Sequence, residues 1–351
     1  MSFLNRIAKM NIAIIYHDAD FDGKLSNEVC RYWLKLLHPS ATIHSYGWDY
    51  GRPVPDDEAR THRITVEGGL ANTTFQWSDY DAIYIVDLSV DELMARPELR
   101  EKIVWIDHHK SAIKKWDNQA PRLGDVEPPV IFAGIRIDGV AACRLCWCWF
   151  TWPNPADPAS DIAAKQDFID RKVDEPTLIR LAGEYDVWDH RDPDGKALQF
   201  GLRALSDKDY RILVESQFSS ADGAGYGSTP LVAAIANGYA IKFYVDKQAD
   251  EYSAVYAQTI QWEGLTFCAL NIGQRGNSDL LRGGIKPEHD ACFAWRWTGT
   301  EVLVSLYHAP GREHLDLSML ATKYGGGGHK GACGFRIGLN HLHHILTNEL
   351  P

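Results

Sequence analysis

Three short apolar runs in the first third of the chain each stop at an acid or a histidine. Ile103-Val104-Trp105-Ile106 runs into Asp107-His108-His109, and Ala82-Ile83-Tyr84-Ile85-Val86 into Asp87. Asn11-Ile12-Ala13-Ile14-Ile15-Tyr16 runs into His17-Asp18-Ala19-Asp20-Phe21-Asp22-Gly23. Apolar runs this short, bounded by charge, read as strands buried on both faces of a sheet. Open α/β sheets hold their ligands outside the carboxyl ends of their strands. Carboxylates and imidazoles delivered to one rim therefore predict a metal site, because gathering so many like charges is costly without a cation.

The rest of the chain supports a sheet built from strand–helix units. Leu25, Val29, Tyr32, Trp33, Leu36 and Leu37 recur at helical spacing over 24–37, and a further strand is expected at 41–46. Residues 47–80 are polar and rich in Gly, Pro and Asp; they read as an irregular excursion with a hairpin near 63–66. A helix over 90–100, interrupted near Pro97, leads to the 103–106 strand. Then come a strand at 131–137, an apolar helix at 139–150 and further helix over 161–188. The alternation predicts an α/β fold with a parallel sheet and crossover helices. The glycine-rich stretch 219–229 is the best linker. An amphipathic helix over 231–262 would bridge to a smaller α/β domain with strands at 266–272, 291–297 and 302–307, a helix at 316–324 and a last strand at 332–337. Boundaries at 1–195, 196–262 and 263–351 follow for a catalytic domain, a helical linker and a substrate-binding domain.

Bulk properties narrow the partners. Net charge is -11, so a polyanion would have to be held locally, by metals or a few arginines. Seven cysteines without paired spacing fit reduced thiols in a cytoplasmic protein. Cys143, Cys146 and Cys148 lie on the apolar helix and read as core. No apolar run is long enough to span a membrane. The first nine residues precede the first strand and read as a dispensable extension.

His17, Asp20, Asp22, Asp87, His108 and Asp186 form the candidate ligand set. Carboxylate and imidazole donors without thiolate suit Mn²⁺ or Mg²⁺ rather than structural Zn²⁺. That many donors exceed the needs of one catalytic ion. They suit a pair about 3.5–4 Å apart, the spacing of two-metal phosphoryl-transfer sites. Asp87, alone on a central strand, is the expected bridge. An acid at a strand end is commonly only a helix cap; the repetition at several strand ends argues otherwise.

The motifs Asp107-His108-His109 and His17-Asp18-Ala19-Asp20-Phe21-Asp22-Gly23, with an Asp-terminated strand between them, resemble the DHH phosphoesterase superfamily. Glu184-Tyr185-Asp186-Val187-Trp188 resembles its fourth metal motif. Gly325-Gly326-Gly327-Gly328-His329-Lys330-Gly331-Ala332-Cys333-Gly334-Phe335 resembles the signature of the DHH-associated C-terminal domain. The resemblance covers residues 11–190 and about 265–338. It implies that His17 and Asp20 hold one metal, that Asp22, His108 and Asp186 hold the other, and that Asp87 bridges them. His109 would contact the scissile phosphate, and Asp107 would orient the histidines. Only two residues separate His17 from Asp20 where many relatives have three, and Asp18 offers a second register.

Four successive glycines let backbone N–H groups approach an anion, although one glycine after a helix is simply a C-cap. The resemblance implies a phosphate- or nucleotide-binding loop at Gly326, Gly327, Gly328 and His329, with Arg282 and Arg312 as further clamps, across a cleft from the metals. The expected activity is hydrolysis of short single-stranded RNA or DNA, or of a linear dinucleotide, to nucleoside monophosphates, in the manner of an oligoribonuclease. The expected cofactor is Mn²⁺, two ions, with Mg²⁺ or Co²⁺ as substitutes; a homodimer is a candidate assembly. The rival readings are a phosphatase or phosphodiesterase on 3′-phosphoadenosine phosphate or cyclic dinucleotides, a pyrophosphatase or polyphosphatase, and a nucleotide-binding module with a dead centre.

Overall fold

The computed structural model describes residues 10–50, 62–66, 69–73, 76–117, 131–153, 161–218, 229–273 and 278–347. Two compact units divide at Tyr239 and Ala240.

The first unit begins with β1 (Asn11–His17), α1 (Phe21–Leu37), β2 (Thr42–Trp48), β3 (His62–Val66), β4 (Gly69–Thr73), β5 (Ala82–Val86), α2 (Asp91–Met94), β6 (Ile103–Ile106) and α3 (Lys110–Asp117). It continues with α4 (Ala142–Thr151), α5 (Asp161–Ile169), α6 (Thr177–Asp186), α7 (Pro193–Ala204) and α8 (Asp207–Phe218). The strands form one sheet in the order β4-β3-β2-β1-β5-β6. β2, β1, β5 and β6 are parallel, and β3–β4 is an antiparallel hairpin at the edge, as the alternation near 63–66 suggested.

Continuous apolar runs form these strands because both faces are covered. Ile12 and Ile14 of β1 and Tyr84 and Val86 of β5 enter one core with α1, α4 and α6. Ala13, Ile15, Ile83 and Ile85, offset by one residue, enter a second core with Trp77 and Trp105. The chain passes from β1 to β2 on one side and returns to β5 on the other. The carboxyl ends of β1 and β5 therefore flank the topological switch point, where such sheets open a crevice.

Several sequence expectations shift. α1 starts at Phe21 rather than 24, because the Asp20 side chain accepts from the Gly23 N–H and caps it. The helix expected over 161–188 is two, interrupted by Arg171 in a left-handed conformation (φ 55°) and by Pro176. The strand expected at 131–137 is an extended segment touching β6 by two bridges, Val104–Ala133 and Asp107–Arg136. Gly134 (φ 126°) lies between them and breaks the ladder. The linker expected at 219–229 falls almost wholly outside the described residues.

α9 (Thr229–Tyr256) crosses the division between the units. The second unit follows with β7 (Gln258–Trp262), β8 (Leu265–Asn271), β9 (Ala291–Trp297), β10 (Val302–His308), α10 (Ser318–Lys323), β11 (Gly327–His329), β12 (Ala332–Ile337) and α11 (Leu339–Thr347). Its sheet runs β11-β12-β10-β9-β8-β7, with only β8 and β9 parallel. The helix expected to reach 262 stops at Tyr256. Gln258–Trp262 instead forms a strand, turned onto β8 by Glu263 (φ 53°) and Gly264 (φ 78°), the left-handed pair of a tight hairpin.

The glycine run is also more ordered than an open loop. Gly325 (φ 77°) and Gly326 close α10, with the Gly326 N–H donating to the Ala321 carbonyl at 2.8 Å. Gly327, Gly328 and His329 then pair with β12. A Cβ on Gly326 would lie 2.0 Å from the Gly334 carbonyl oxygen, and one on Gly328 2.6 Å from the Cys333 Cα. At Gly325 and Gly327 it would meet open space, although at Gly325 the left-handed backbone still favours glycine.

Candidate metal centre

The sheet's carboxyl rim gathers the six expected ligands into two overlapping groups. In one, His17 Nδ1 stands 3.0 Å from Asp20 Oδ2 and 3.5 Å from Asp87 Oδ2. In the other, His108 Nε2 stands 3.5 Å from Asp22 Oδ2 and 3.4 Å from Asp186 Oδ2. Asp87 joins them, since its Oδ1 is 3.2 Å from His108 Nε2 while its Oδ2 faces His17. The groups His17–Asp20–Asp87 and Asp22–His108–Asp186 each bring one donor atom per residue within 4.8 Å of the others.

Local structure sets each side chain. His17 ends β1, and Asp20 caps α1 just before Asp22. Gly23 lets that first helical turn sit against the strand end, where a Cβ would fall 2.0 Å from the His17 carbonyl oxygen. Asp87 follows β5 in a left-handed conformation (φ 63°), which an aspartate tolerates better than most residues. Asp186 is the last residue of α6. Arg171, before the helix, pairs with buried Glu184 of α6 at 2.7 Å, and Arg180 of α6 bridges that carboxylate to Asp192 beyond the helix end. Asp107 is fully buried, and its Oδ1 accepts the backbone N–H of His108 (2.7 Å) and of His109 (3.1 Å) and pairs with His109 Nδ1 at 2.8 Å. One carboxylate thus fixes both histidines and leaves the His109 Nε2 edge free of Asp107.

Asp18 does not join either group. Its backbone N–H binds the Trp48 carbonyl, and its side chain lies 3.9 Å from Lys24. Of the two registers, it is Asp20 whose donor atom gathers with those of His17 and Asp87.

Two features escaped sequence reasoning. Asp49 lies 3.3 Å from His17 Nε2, directly after β2. It repeats the strand-then-acid pattern but is hidden in the sequence, where the strand is expected to end at 46. Asp22 also caps a distant helix: its two oxygens accept the N–H groups of Ala142 (2.8 Å) and Cys143 (2.7 Å). Ala141 offers no side-chain cap for α4, so the helix's positive end is satisfied by Asp22. Each oxygen keeps a lone pair for a cation.

The electrostatics fit a cation pair. Both Asp87 oxygens and His17 Nδ1 are buried without a hydrogen-bond partner, and Asp87 is 1% exposed. A buried carboxylate so placed is costly unless paired or bound to metal. Contact with Asp20 and then Asp87 pushes His17 up to about 11. Burial opposes the charged form of His108, but Asp87, Asp22 and Asp186 outweigh it and bring it to about 10. Burial, reinforced by Asp87, pushes the Asp22 carboxyl up to about 7; burial, reinforced by Asp22, does the same to Asp186. Asp107 raises His109. In the metal-free protein, protons take the place of missing positive charge.

The residues expected to bind substrate lie in the second unit. Arg282 is drawn onto α9, where its Nε and Nη2 bind the Asp250 carboxylate at 2.9 and 2.7 Å. Arg312 lies 3.6 Å from Asp290 and donates to the carbonyls of His289 and Pro287. Both guanidiniums, expected as phosphate clamps, are thus paired with carboxylates or carbonyls of the second unit. Gly327, Gly328 and His329 are exposed on β11. Arg296 and Arg336, which sequence reading passed over, line a groove of about 360 Å³ with Gly325 and Gly326. Both arginines stand opposite Leu303 on flanking strands, so they share a sheet face.

This chain is similar in fold to DHH-domain proteins. The DHH domain of a protein assigned to a ribosomal-protein family aligns with TM-score 0.50 and 12% identity, over 96% of this chain and 85% of that one. The pGpG-specific phosphodiesterase PggH from Vibrio cholerae aligns with TM-score 0.43 and 14% identity over 96% of each chain. An exonuclease RecJ bound to manganese aligns with TM-score 0.44 and 13% identity, over 95% of this chain and 88% of that one. No protein-family model matches the chain, and no curated protein matches it in sequence. The chain carries the DHH fold that its motifs implied.

Proposed function

We propose that this protein is a metal-dependent phosphoesterase that hydrolyses short oligonucleotides or linear dinucleotides to nucleoside monophosphates. The observation that carries this reading is Asp87, whose two buried, unpartnered oxygens face the two ligand groups. His17, Asp20 and Asp87 would hold one divalent ion; Asp22, His108, Asp186 and Asp87 the other. Their mixed imidazole and carboxylate donors favour Mn²⁺. When bound, such a pair supplies a water acidic enough to lose its proton near neutral pH and neutralises charge on phosphate oxygens.

The chain's own groups do the remaining work. Asp107 holds His108 and His109 in fixed orientation, and the α4 N-terminus steadies Asp22. His109, raised in pKa by Asp107 and 39% exposed at its side chain, donates a proton to a phosphate oxygen or the leaving group. In the second unit, Gly327, His329, Arg296 and Arg336 recognise a phosphate or nucleotide end. The acidic net charge favours short substrates over long polynucleotides. Seven unpaired, buried cysteines suit a reducing, cytoplasmic setting.

The test is Mn²⁺-supplemented turnover of RNAs of about two to five nucleotides and linear dinucleotides. Cyclic dinucleotides, 3′-phosphoadenosine phosphate and pyrophosphate are assayed alongside. Nucleoside monophosphates from the first group are expected. Preferred turnover of 3′-phosphoadenosine phosphate, a cyclic dinucleotide or pyrophosphate would reassign the substrate, and no turnover of any would refute the reading.

A further inference from the structure

β2 runs parallel to β1, with Trp48 opposite His17 in the register. The next residue, Asp49, therefore reaches the same rim as the His17 imidazole. The backbone is tied down on both sides of it. Before Asp49, the Trp48 carbonyl accepts the Asp18 N–H at 3.0 Å, which joins the end of β2 to the chain beyond His17. After it, Tyr50 Oη accepts the Ser89 N–H at 3.1 Å, which joins the same stretch to the chain beyond Asp87. The Tyr50 ring also packs near Trp48 and His17, at 5.4 and 6.1 Å between centroids. Three strand ends thus fix where the Asp49 carboxylate stands.

The two nitrogens of His17 have different surroundings. Nδ1 faces Asp20 and Asp87, the carboxylates that would share its cation, and makes no hydrogen bond. Nε2 lies 3.3 Å from Asp49 Oδ1. An imidazole that binds a cation presents a lone pair on one nitrogen and carries its proton on the other. A carboxylate on the protonated nitrogen fixes the tautomer and the ring plane, and makes the ligating nitrogen a stronger donor. Asp49 stands on the far side of the ring for that task. Among the described residues, the donor group around His17 includes Asp20 and Asp87 but not Asp49.

We propose that Asp49 is a positioning residue for the metal centre. It accepts the Nε2–H of His17 and so aims Nδ1 at the cation shared with Asp20 and Asp87. The inference rests on the reading of His17 as a metal ligand. Because Asp49 acts through His17 alone, its effect falls on one ion of the pair and spares the ion held by Asp22, His108 and Asp186.

Mn²⁺ titration of the full chain by calorimetry, with bound ions counted by electron paramagnetic resonance, tests this without turnover. Asp49 is 28% exposed at its side chain, and the ties that hold its backbone do not use that side chain, so its variants should fold. Asp49→Ala should weaken one of two Mn²⁺ ions by about 10- to 100-fold, the loss usual for the partner of a metal-bound histidine, and leave the other unchanged. Asp49→Asn keeps an oxygen that accepts the Nε2–H, so its affinity should lie closer to the parent than to Asp49→Ala. Unchanged binding of both ions by Asp49→Ala, in a parent that binds two, would overturn the positioning role and keep the metal centre. Equal losses in Asp49→Asn and Asp49→Ala would make the carboxylate a ligand or a charge in its own right, and would overturn it too. A parent that binds fewer than two Mn²⁺ ions would remove the two-ion centre and this inference with it.

Discussion

The two units treat charge in opposite ways. At the rim of the first sheet, Asp22, Asp87 and Asp107 are buried, and both oxygens of Asp87 lack a hydrogen bond. In the second unit, charged side chains are met on the surface: Arg282 by Asp250, Lys323 by Glu263, Arg336 by Glu301. Exposed pairs of that kind contribute about 0–1 kcal/mol each. Buried carboxylates compensated only by protonated histidines are costly to assemble and mark functional sites more often than structural ones. The difference sets the rim of the first sheet apart as the place where charge is gathered rather than dispersed.

The largest expected effect comes from Asp87. Asp87→Asn keeps a residue that tolerates the left-handed backbone and removes the bridging charge. Mn²⁺-dependent hydrolysis should fall by at least ~10³-fold, the scale of losing a central electrostatic group. At neutral pH the metal-free variant should melt at a lower temperature than the parent, since protonated His17 and His108 lose the carboxylate they face. A higher melting temperature would mean that the histidine protons do not compensate Asp87 when the metals are absent.

Proton linkage sharpens the same contrast. His17 at about 11 and His108 at about 10 carry protons at neutral pH in the metal-free protein, while Asp22 and Asp186 at about 7 are roughly half protonated. Metal binding must displace these protons. Apparent Mn²⁺ affinity should therefore rise with pH from about 6 to 8, with release of about two protons or more per chain filled. Calorimetry in buffers of different ionisation enthalpy measures the release. Affinity independent of pH would contradict the shifts.

Smaller effects probe what supports each region. Asp107→Asn should weaken Mn²⁺ binding or turnover by about 10- to 100-fold, as for outer-shell partners of metal ligands. Its Oδ1 serves His108 and His109 rather than a cation. In the second unit, Gly326→Ala would force a Cβ to 2.0 Å from the Gly334 carbonyl oxygen and should destabilise by about 2 kcal/mol or more. Gly327→Ala meets open space and should change stability by under about 0.5 kcal/mol. If Gly327 contacts the substrate phosphate, that variant raises KM with kcat unchanged; an unchanged KM would confine the glycine run to packing.

Much of the first unit was legible because its signals are local and periodic. Runs such as 82–86 can only be strands buried on two faces, and each stops where polarity begins. The convergence of His17, Asp87 and His108 followed because strand ends in a parallel sheet share a rim, whereas Asp186, at the end of α6, is brought there by tertiary packing. What escaped depends on long-range pairing. Nothing near Asp22 announces that it will cap a helix beginning at Ala142. Asp49 was missed because Gly47 and Trp48 continue β2 past the apparent end of its alternation. In the second unit, helical spacing persists past Tyr256, and only the left-handed Glu263-Gly264 turn converts 258–262 to strand. The glycine run misled in a similar way, since its composition suggests an open loop while packing against β12 demands small residues.

The most direct test of the central claim is Mn²⁺ titration of the full chain with electron paramagnetic resonance detection. The account predicts two Mn²⁺ per chain, spin-coupled through the bridging carboxylate, with the coupling lost in Asp87→Asn. A single Mn²⁺ per chain, or two that remain magnetically independent in the parent protein, would contradict it.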